Sequence, residues 1–218
     1  MPIEAWFPTF VYFEDVELSD AIKEGALEAV REQIDPETMA NHTGITASCA
    51  RNDFHQDPRI AALLDELHPV FRRCFVDEMQ IDPSQVRCSI GRCWPVVQIS
   101  NGSSGIKHHH RGATFSAVLY LRVPEGAGNL EFYKDSRFLS DALPKTELNL
   151  LSFQTARYSA KENRILIFPS ELEHRRSSNT EGSEGERLAI AFDFYASSEI
   201  SHFEAGIPHS DYHKNLNL

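Results

Sequence analysis

The stretch that decides the fold is His108-His109-His110-Arg111-Gly112-Ala113-Thr114-Phe115-Ser116-Ala117-Val118-Leu119-Tyr120, in which three histidines lead into a long apolar run. Residues i and i+2 of a strand point the same way, so His108 and His110 can hold one metal ion together while His109 faces the other side. The apolar run from Phe115 indicates a strand that is buried on both faces. The stretch predicts a metal site at the mouth of a β-sheet, and a solvated histidine loop is the competing interpretation.

The composition is that of an ordinary globular protein, with 218 residues, 41% hydrophobic and 24% charged side chains, and a net charge of -11. The acidic balance argues against nucleic acid as a partner, because phosphate binding depends on Lys and Arg. A small molecule or a peptide is the expected partner, and a homodimer is left open. Four cysteines are too few for a disulfide framework, and we expect them to be reduced.

No window approaches the roughly 18 apolar residues that a membrane-spanning helix needs, so no membrane contact is expected. The first residues, Met1-Pro2-Ile3-Glu4, lack the basic start and apolar run of a secretory signal. The expected location is therefore cytoplasmic.

The first third of the chain predicts one strand and two helices. Phe7 to Phe13 is β-branched and aromatic, which favours a strand. A helix follows from about Ser19 to Glu32, and a second runs from about Asp57 to Phe75 with Pro58 in its first turn. Pro69 is expected to kink this second helix or to split it in two.

From Gln85 onward, short apolar runs alternate with clusters of Gly, Pro, Asn and Ser, which is typical of a β-sandwich or barrel. The predicted strands are Val86–Ile90, Cys93–Ser100, Ala113–Val123, Asn129–Tyr133, Leu150–Phe153, Arg164–Phe168 and Leu188–Tyr195. This number of strands suits a jelly roll. We therefore predict an α+β, mainly β fold in one domain, 1–218, with a strand and support helices in 1–84, a jelly-roll core in 85–196 and a tail in 197–218.

A distant third ligand is supplied by His174, which follows the exit of a buried strand. Two neighbouring ligands and one distant ligand on one face form the facial arrangement of non-haem Fe(II) oxygenases. Arg187 begins an apolar strand shortly afterwards, and its guanidinium can hold a carboxylate with two hydrogen bonds. Each of these two residues alone would be an ordinary surface residue. The remaining histidines have no ligand-like spacing and are expected to be structural: His42, His55, His68, His202, His209 and His213.

These elements together resemble the 2-oxoglutarate and Fe(II)-dependent oxygenase superfamily, and within it an uncharacterised branch of bacterial and phage hydroxylases with an HxH...H...R motif. The resemblance runs from about Trp94 to Phe194. Its four elements, in order, are His108 to Tyr120, the turn and strand Pro124-Glu125-Gly126-Ala127-Gly128-Asn129-Leu130-Glu131-Phe132, the distal segment Leu166 to His174, and the arginine segment Glu186 to Phe192.

The resemblance implies a double-stranded β-helix, a cupin-like jelly roll with the N-terminal helices packed outside. It implies Fe(II) bound by His108, His110 and His174, and 2-oxoglutarate with its distal carboxylate on Arg187. O2 would be the oxidant, with ascorbate as an optional reductant. Gln98 and Tyr120 are expected to form hydrogen bonds to 2-oxoglutarate, and ordinary core packing is the competing interpretation. The implied reaction is hydroxylation of a small molecule or peptide side chain, with succinate and CO2 as co-products and no catalytic residue beyond the metal ligands.

Two residues depart from the superfamily pattern. The superfamily at large has HxD or HxE where His110 stands here, so the ion would have three neutral ligands. The common Arg-x-Ser becomes Arg187-Leu188-Ala189, which removes a hydroxyl that often helps to hold the co-substrate.

Three alternatives stay open at this point. A register in which His110-x-Gly112 forms the proximal motif is the pattern of iron-dependent halogenases. A zinc hydrolase can also use three histidines, although the chain has no HExxH. A non-catalytic, metal-binding jelly-roll module is the third.

Several segments near the histidines can shape a substrate site. Asn101 to Gly105 is a candidate lid, and Arg137 to Arg157 is expected to fold over the opening. The tail, Glu199 to Leu218, can cover the site, exchange with a partner or extend freely. Flanking arginines can hold an acidic substrate group: Arg111, Arg175 and Arg176.

Overall fold

Two antiparallel β-sheets pack face to face in this computed structural model, which describes residues 8–33, 47–48, 52–99, 104–133, 146–147, 153–180, 185–198 and 214–218. In spatial order, the large sheet consists of β1 (Tyr12–Asp15), β7 (Arg164–Pro169), β4 (Phe115–Arg122), β9 (Glu186–Ser198), β3 (Val86–Ile99) and β10 (Lys214–Asn215), and β2 (Ala47–Ser48) also pairs with β3. The small sheet consists of β6 (Thr155–Tyr158), β5 (Leu130–Tyr133) and β8 (His174–Arg176).

Two helices cover the outer face of the large sheet. The first is α1 (Asp20–Glu32), and the second is α2 (Pro58–Arg72), which follows a short 3-10 helix, Phe54–Gln56. The carboxylate of Asp57 caps α2 by accepting from the backbone N–H of Arg59 at 2.9 Å. Both helices were predicted, although α2 is shorter than expected because the chain changes into a π-helix, Arg73–Glu78.

Pro69 does not split α2, which continues past it to Arg72. A proline has no N–H to give to the preceding turn, but the rest of the helix is held by packing of its apolar face. The residues on that face are fully or almost fully buried: Ile60, Leu63, Leu64, Leu67, Val70 and Phe71.

Two hydrophobic clusters lie on opposite faces of the large sheet. The outer cluster joins the sheet to α1 and α2, and its aromatic centre is Phe71 against Phe192 and Phe194, with ring centroids 6.5 and 5.2 Å away. The inner cluster lies between the two sheets and includes Phe132 against Phe168 at 4.8 Å. Because β4 and β9 contribute to both clusters, their sequences are apolar on both faces, as predicted from the run at Phe115.

The strand boundaries differ from the prediction at the first strand and in β3. The first strand is Tyr12–Asp15 and not Phe7 to Phe13, of which residues 8–11 are not in a strand and Phe7 lies outside the described residues. The two strands predicted between Val86 and Ser100 are one strand, β3, whose pairing with β9 shifts between Ile90 and Arg92. A β-bulge at the intervening glycine keeps the strand continuous while changing its register.

The small sheet was the part predicted least well. The predicted strand at Leu150–Phe153 lies mostly outside the described residues, and its last residue precedes the observed strand β6. β6 and β8 were not predicted, because their sequences, Thr-Ala-Arg-Tyr and His-Arg-Arg, are short and lack an apolar pattern.

The end of the tail is fixed to the protein. β10 pairs with Ser89 and Ile90 of β3, and Leu216 is buried. The ring of His68 contacts the carbonyl oxygens of Leu216 and Asn217 at 3.0 and 3.1 Å. These last five residues therefore pack between β3 and α2, whereas 199–213 lie outside the described residues.

Among the helices of the described residues, none combines the length and the apolar character that crossing a membrane requires.

The outer cluster yields a stability prediction. Phe71→Ala should lower the free energy of unfolding by roughly 3–5 kcal/mol, because the ring is fully buried against two other rings and its loss leaves a cavity. Arg72→Ala, an exposed position on the same helix, is the control and should change the value by less than about 0.5 kcal/mol. Urea denaturation measures both, and equal stabilities would contradict the assignment of this core.

Candidate metal centre

Three histidine rings meet between the two sheets. The ring of His108 lies 4.5 Å from that of His174 and 5.2 Å from that of His110, and the last two are 5.1 Å apart, centroid to centroid. One ligand atom of each ring lies within 4.8 Å of the others. Imidazole suits Fe, Zn, Cu and Ni, so this cluster can hold a transition metal ion.

The backbone fixes two of these histidines directly opposite each other. His108 donates its N–H to the carbonyl of His174 at 2.9 Å, and His174 donates to that of His108 at 2.8 Å. The N–H of His110 is bound by the carbonyl of Ser170, just after β7. Backbone hydrogen bonds thus hold the histidine segment beside β8.

The hydrogen bonds of the three rings leave the same nitrogen available on each. Nδ1 of His108 is 2.8 Å from the carbonyl oxygen of Ile106, and Nδ1 of His174 is 2.8 Å from that of Leu172. Nδ1 of His110 is 2.6 Å from a carboxylate oxygen of Asp193. Carbonyl and carboxylate oxygens accept, so each Nδ1 carries the hydrogen and each Nε2 keeps a free lone pair.

Burial also keeps the innermost ring unprotonated. His174 is 5% exposed, and burial lowers the pKa of its imidazole to about 3. Since only neutral imidazole binds a metal, protons do not compete for the His174 ring near neutral pH. His108 is the exposed member of the group, so the cluster is open on its side.

The other described histidines do not join the cluster. His109 turns away and accepts a hydrogen bond from Arg111 at 3.3 Å. His55 is buried near the start of α2, and His68 holds the tail. The remaining histidines lie outside the described residues: His42, His202, His209 and His213.

Sequence reasoning missed the residue that supports His110. Asp193 is fully buried, and its Oδ1 also accepts from Ser116 Oγ at 2.7 Å. Its Oδ2 lies 2.6 Å from a guanidinium nitrogen of Arg92. Ser116 in turn is 2.8 Å from Ser170, Oγ to Oγ. The available signal was a single carboxylate inside an otherwise apolar strand, since a charge is buried there only with partners.

The predicted co-substrate residues lie together at the other end of the inner face. Arg187 is 4% exposed and donates to the hydroxyl of Tyr120 at 3.1 Å and to the carbonyl of Gly128 at 3.2 Å. Its guanidinium also lies over the Tyr120 ring, 4.8 Å from the centroid. Gln98 pairs with Arg187 across β3 and β9, and its amide donates to Asn179 at 2.9 Å.

The alternation of side chains along β9 places Asp193, which contacts the histidine cluster, and Arg187 on the same face of the large sheet. Asp193 and Arg187 are six positions apart on β9, an even number, so both face the space between the sheets. Ala189 and Ala191 occupy the inner positions between them, and small side chains there leave room above the sheet. The inner face therefore has a histidine cluster at one end and a buried cation at the other.

The flanking arginines have different surroundings. Arg175 is engaged by Glu131 at 2.9 Å, and Arg111 is exposed beside His109. Arg176 is buried, and burial together with the nearby Arg187 lowers the pKa of its guanidinium to about 10. The suggestion that these three hold an acidic substrate group stays a prediction.

The predicted covering segments are described only in part. Residues 101–103 of the candidate lid and most of Arg137 to Arg157 lie outside the described residues. Of the lid, Gly105 donates its N–H to the carbonyl of Arg176 at 2.8 Å, which extends the small sheet along β8.

A known family model matches the part of the chain that contains the histidine cluster. The family model described as "Putative 2OG-Fe(II) oxygenase" matches residues 92–193, which include the three clustered histidines, Arg187 and Asp193. The match confirms, for that part of the chain, the superfamily resemblance that the sequence predicted. A comparison with curated protein sequences found no match.

Solved structures support the fold. The chain is similar to the non-heme alpha ketoglutarate dependent carbocyclase SnoK from nogalamycin biosynthesis, with 14% identity over 87% of this chain and 82% of that chain, and a TM-score of 0.56. It is similar to the epimerase SnoN from the same biosynthesis, with 12% identity, 95% and 94% coverage, and a TM-score of 0.53. HygX from Streptomyces hygroscopicus, with nickel, 2-oxoglutarate and hygromycin B bound, matches with 16% identity, 86% and 83% coverage, and a TM-score of 0.52. The predicted mainly β jelly roll is thus confirmed.

The geometry of the cluster predicts which histidines are needed for metal binding. His110→Ala and His174→Ala should each weaken Fe(II) binding by more than roughly a hundredfold, because each removes one of three inward-facing nitrogens. His109→Ala is the matched control and should bind as the unaltered protein does. Anaerobic titration calorimetry measures this, and a loss of binding in His109→Ala equal to the other two would refute the cluster.

Proposed function

We propose that this protein is a non-haem Fe(II)- and 2-oxoglutarate-dependent dioxygenase that hydroxylates a small molecule or a peptide side chain. The single observation that carries the proposal is the pairing of two sites on one inner sheet face. A three-histidine cluster with free Nε2 atoms stands at one end, and a buried arginine stands at the other. A bifunctional acid that chelates a metal and ends in a second carboxylate requires such a pair.

Fe(II) fits the histidine end. His108, His110 and His174 would hold it through Nε2, because their Nδ1 atoms already donate to oxygen acceptors. Three neutral imidazoles leave the charge of the ion uncompensated, so the cluster favours anionic co-ligands such as a keto acid carboxylate. When bound, iron and 2-oxoglutarate supply the oxidising power, and succinate and CO2 are the co-products.

Arg187 fits the distal carboxylate. Two of its nitrogens are held by Tyr120 and Gly128, whereas its Nε has no hydrogen-bond partner within the described part of the chain. A buried, incompletely satisfied guanidinium is a strong binding site for a carboxylate. Gly128 is needed for this cradle, since a Cβ there would stand 2.1 Å from the carbonyl oxygen of Ser177.

Tyr120 can replace the hydroxyl that the Arg-x-Ala sequence lacks. Its oxygen accepts from Arg187, so its own proton is free to point elsewhere. A carboxylate on Arg187 would accept that proton, which makes Tyr120 and Arg187 a joint anchor. Gln98 lies beside this anchor, and its Oε1 has no partner among the described residues.

The walls between the two ends are apolar and keep water away from the reacting atoms. They include Leu130 and Phe132 from the small sheet and Leu166 and Phe168 from the large sheet. Low local polarity strengthens the charge interactions at both ends. No side chain in the described residues is needed as a general base, because hydroxylation at carbon requires no base from the protein.

The alternative register, with His110-x-Gly112 as the proximal motif, has less support. Gly112 is exposed and adopts a φ of +85°, while His108 already fills the position beside His174. A halogenase register that leaves out His108 therefore has no observation in its favour. Hydroxylation stays a proposal, since SnoK is described as a carbocyclase and SnoN as an epimerase.

The direct test is turnover of the co-substrate. Purified protein given Fe(II), O2 and 2-oxoglutarate should form succinate, with ascorbate sustaining the rate, and His174→Ala should form none above background. Supplying candidate small molecules and peptides, with and without chloride, and analysing products by mass spectrometry separates hydroxylation from chlorination. Absence of succinate under all these conditions would refute the proposal.

The anchor gives a quantitative prediction. Arg187→Gln should raise the KM for 2-oxoglutarate by roughly 10- to 100-fold, because a charged hydrogen bond contributes about 1.5–3 kcal/mol. Arg157→Gln, an exposed arginine on the small sheet, should leave the KM unchanged. Succinate formation at varied 2-oxoglutarate measures both, and an unaltered KM in Arg187→Gln would exclude this residue as the anchor.

A further inference from the structure

The metal centre differs in charge from the pattern of the superfamily at large. Where the superfamily at large has a carboxylate, this chain has His110, so all three inward-facing groups are neutral imidazoles. A divalent ion held by these three groups has no anionic ligand among the described residues. Asp193 contacts the cluster from the far side of the His110 ring, through Nδ1.

We propose that Asp193 is a positioning residue that supplies, through Nδ1 of His110, the negative charge that the three-histidine centre lacks. The inference rests on the proposed function only in taking the ion to bind at the three histidines. It assigns to Asp193 an effect on affinity and on the redox balance of the ion, and not a contact with the ion.

The geometry favours an effect of Asp193 on the electron density of the His110 ring. The Nδ1 to Oδ1 distance of 2.6 Å is that of a short, charge-assisted hydrogen bond. A carboxylate behind a ligating imidazole fixes its tautomer and orientation and makes the other nitrogen a stronger donor. His108 and His174 have only neutral backbone carbonyls behind them, so His110 is the one ring of the three with a carboxylate behind its Nδ1.

The surroundings of Asp193 hold it in one orientation. Ser116 donates to the same oxygen that accepts from His110, and Ser170 lies behind Ser116. Arg92 faces the second oxygen, at 2.6 Å, and is about one-third exposed. The carboxylate is thus aimed at the ring by groups from β3, β4 and the turn after β7.

Stability alone does not account for this arrangement. Buried ion pairs rarely stabilise a fold more than well-packed apolar residues do, because both charges lose their hydration. Asp193 stands in a strand whose neighbouring residues, Phe192 and Phe194, belong to the outer hydrophobic core. A charge in that position has a clear role if it acts on the ion through His110.

The test is substitution by a neutral residue of the same shape. Asp193→Asn keeps an oxygen that accepts from Nδ1 and removes the charge. Glu131→Gln is the matched control, because Glu131 is also a buried carboxylate, with partners Arg157, Arg175 and Tyr133 and no histidine. Thermal unfolding establishes that each variant is folded.

Two measurements are made without 2-oxoglutarate. Anaerobic calorimetry with Fe(II) alone should show binding weakened roughly 10- to 100-fold in Asp193→Asn and unchanged in Glu131→Gln. Redox titration should show a more positive Fe(III)/Fe(II) potential in Asp193→Asn, since the oxidised ion loses more from removal of a negative charge. Equal losses of affinity in both variants, or an unshifted potential, would overturn the proposal.

A second variant distinguishes the proposal from a folding defect, because its Fe(III)/Fe(II) potential should shift in the opposite direction. Arg92→Gln removes the cation that partly neutralises Asp193, so the potential should move to more negative values. If Asp193 had only a structural role, the two variants would not shift the potential in opposite directions. A shift in Arg92→Gln in the same direction as in Asp193→Asn would therefore contradict the inference. Fe(II) binding with the expected shifts but no succinate would refute the proposed function and leave this inference standing, whereas no Fe(II) binding at all overturns both.

Discussion

The reciprocal backbone pair between His108 and His174 is the interaction on which the site depends. Two N–H groups and two carbonyls bind each other, at 2.9 and 2.8 Å, and join segments that are far apart in sequence. Because these bonds are made by the backbone, they hold the two residues directly opposite each other, and the two rings lie 4.5 Å apart, centroid to centroid. The jelly roll brings the segments to the same place, and the pair then fixes their register.

β9 organises the other half of the centre. Its outward residues, such as Phe192 and Phe194, pack against α2, and its inward residues include Arg187 and Asp193. One strand thus joins the helical layer to both charged ends of the inner face. A shift of one residue in its pairing would turn both charged groups into the outer core, so the hydrophobic packing of β9 also secures the site.

The sequence was sufficient where the hydrophobic pattern was strong. The runs that form β4, β7 and β9 predicted buried strands, and the spacing of His108 and His110 predicted a shared face that the structure reproduces. It was insufficient for β6 and β8, which pair with β5 but are short and have no alternating apolar pattern. Nor could it pair His110 with Asp193, because that contact depends on the register between β9 and the segment before β4.

The central claim concerns which atoms surround the metal. A crystal structure of the protein grown anaerobically with Fe(II) and 2-oxoglutarate measures this directly. The account predicts an ion bound by Nε2 of His108, His110 and His174, with 2-oxoglutarate reaching from the ion to Arg187 and Tyr120. An ion bound by His109, an ion bound directly by Asp193, or a co-substrate turned away from Arg187 would contradict it.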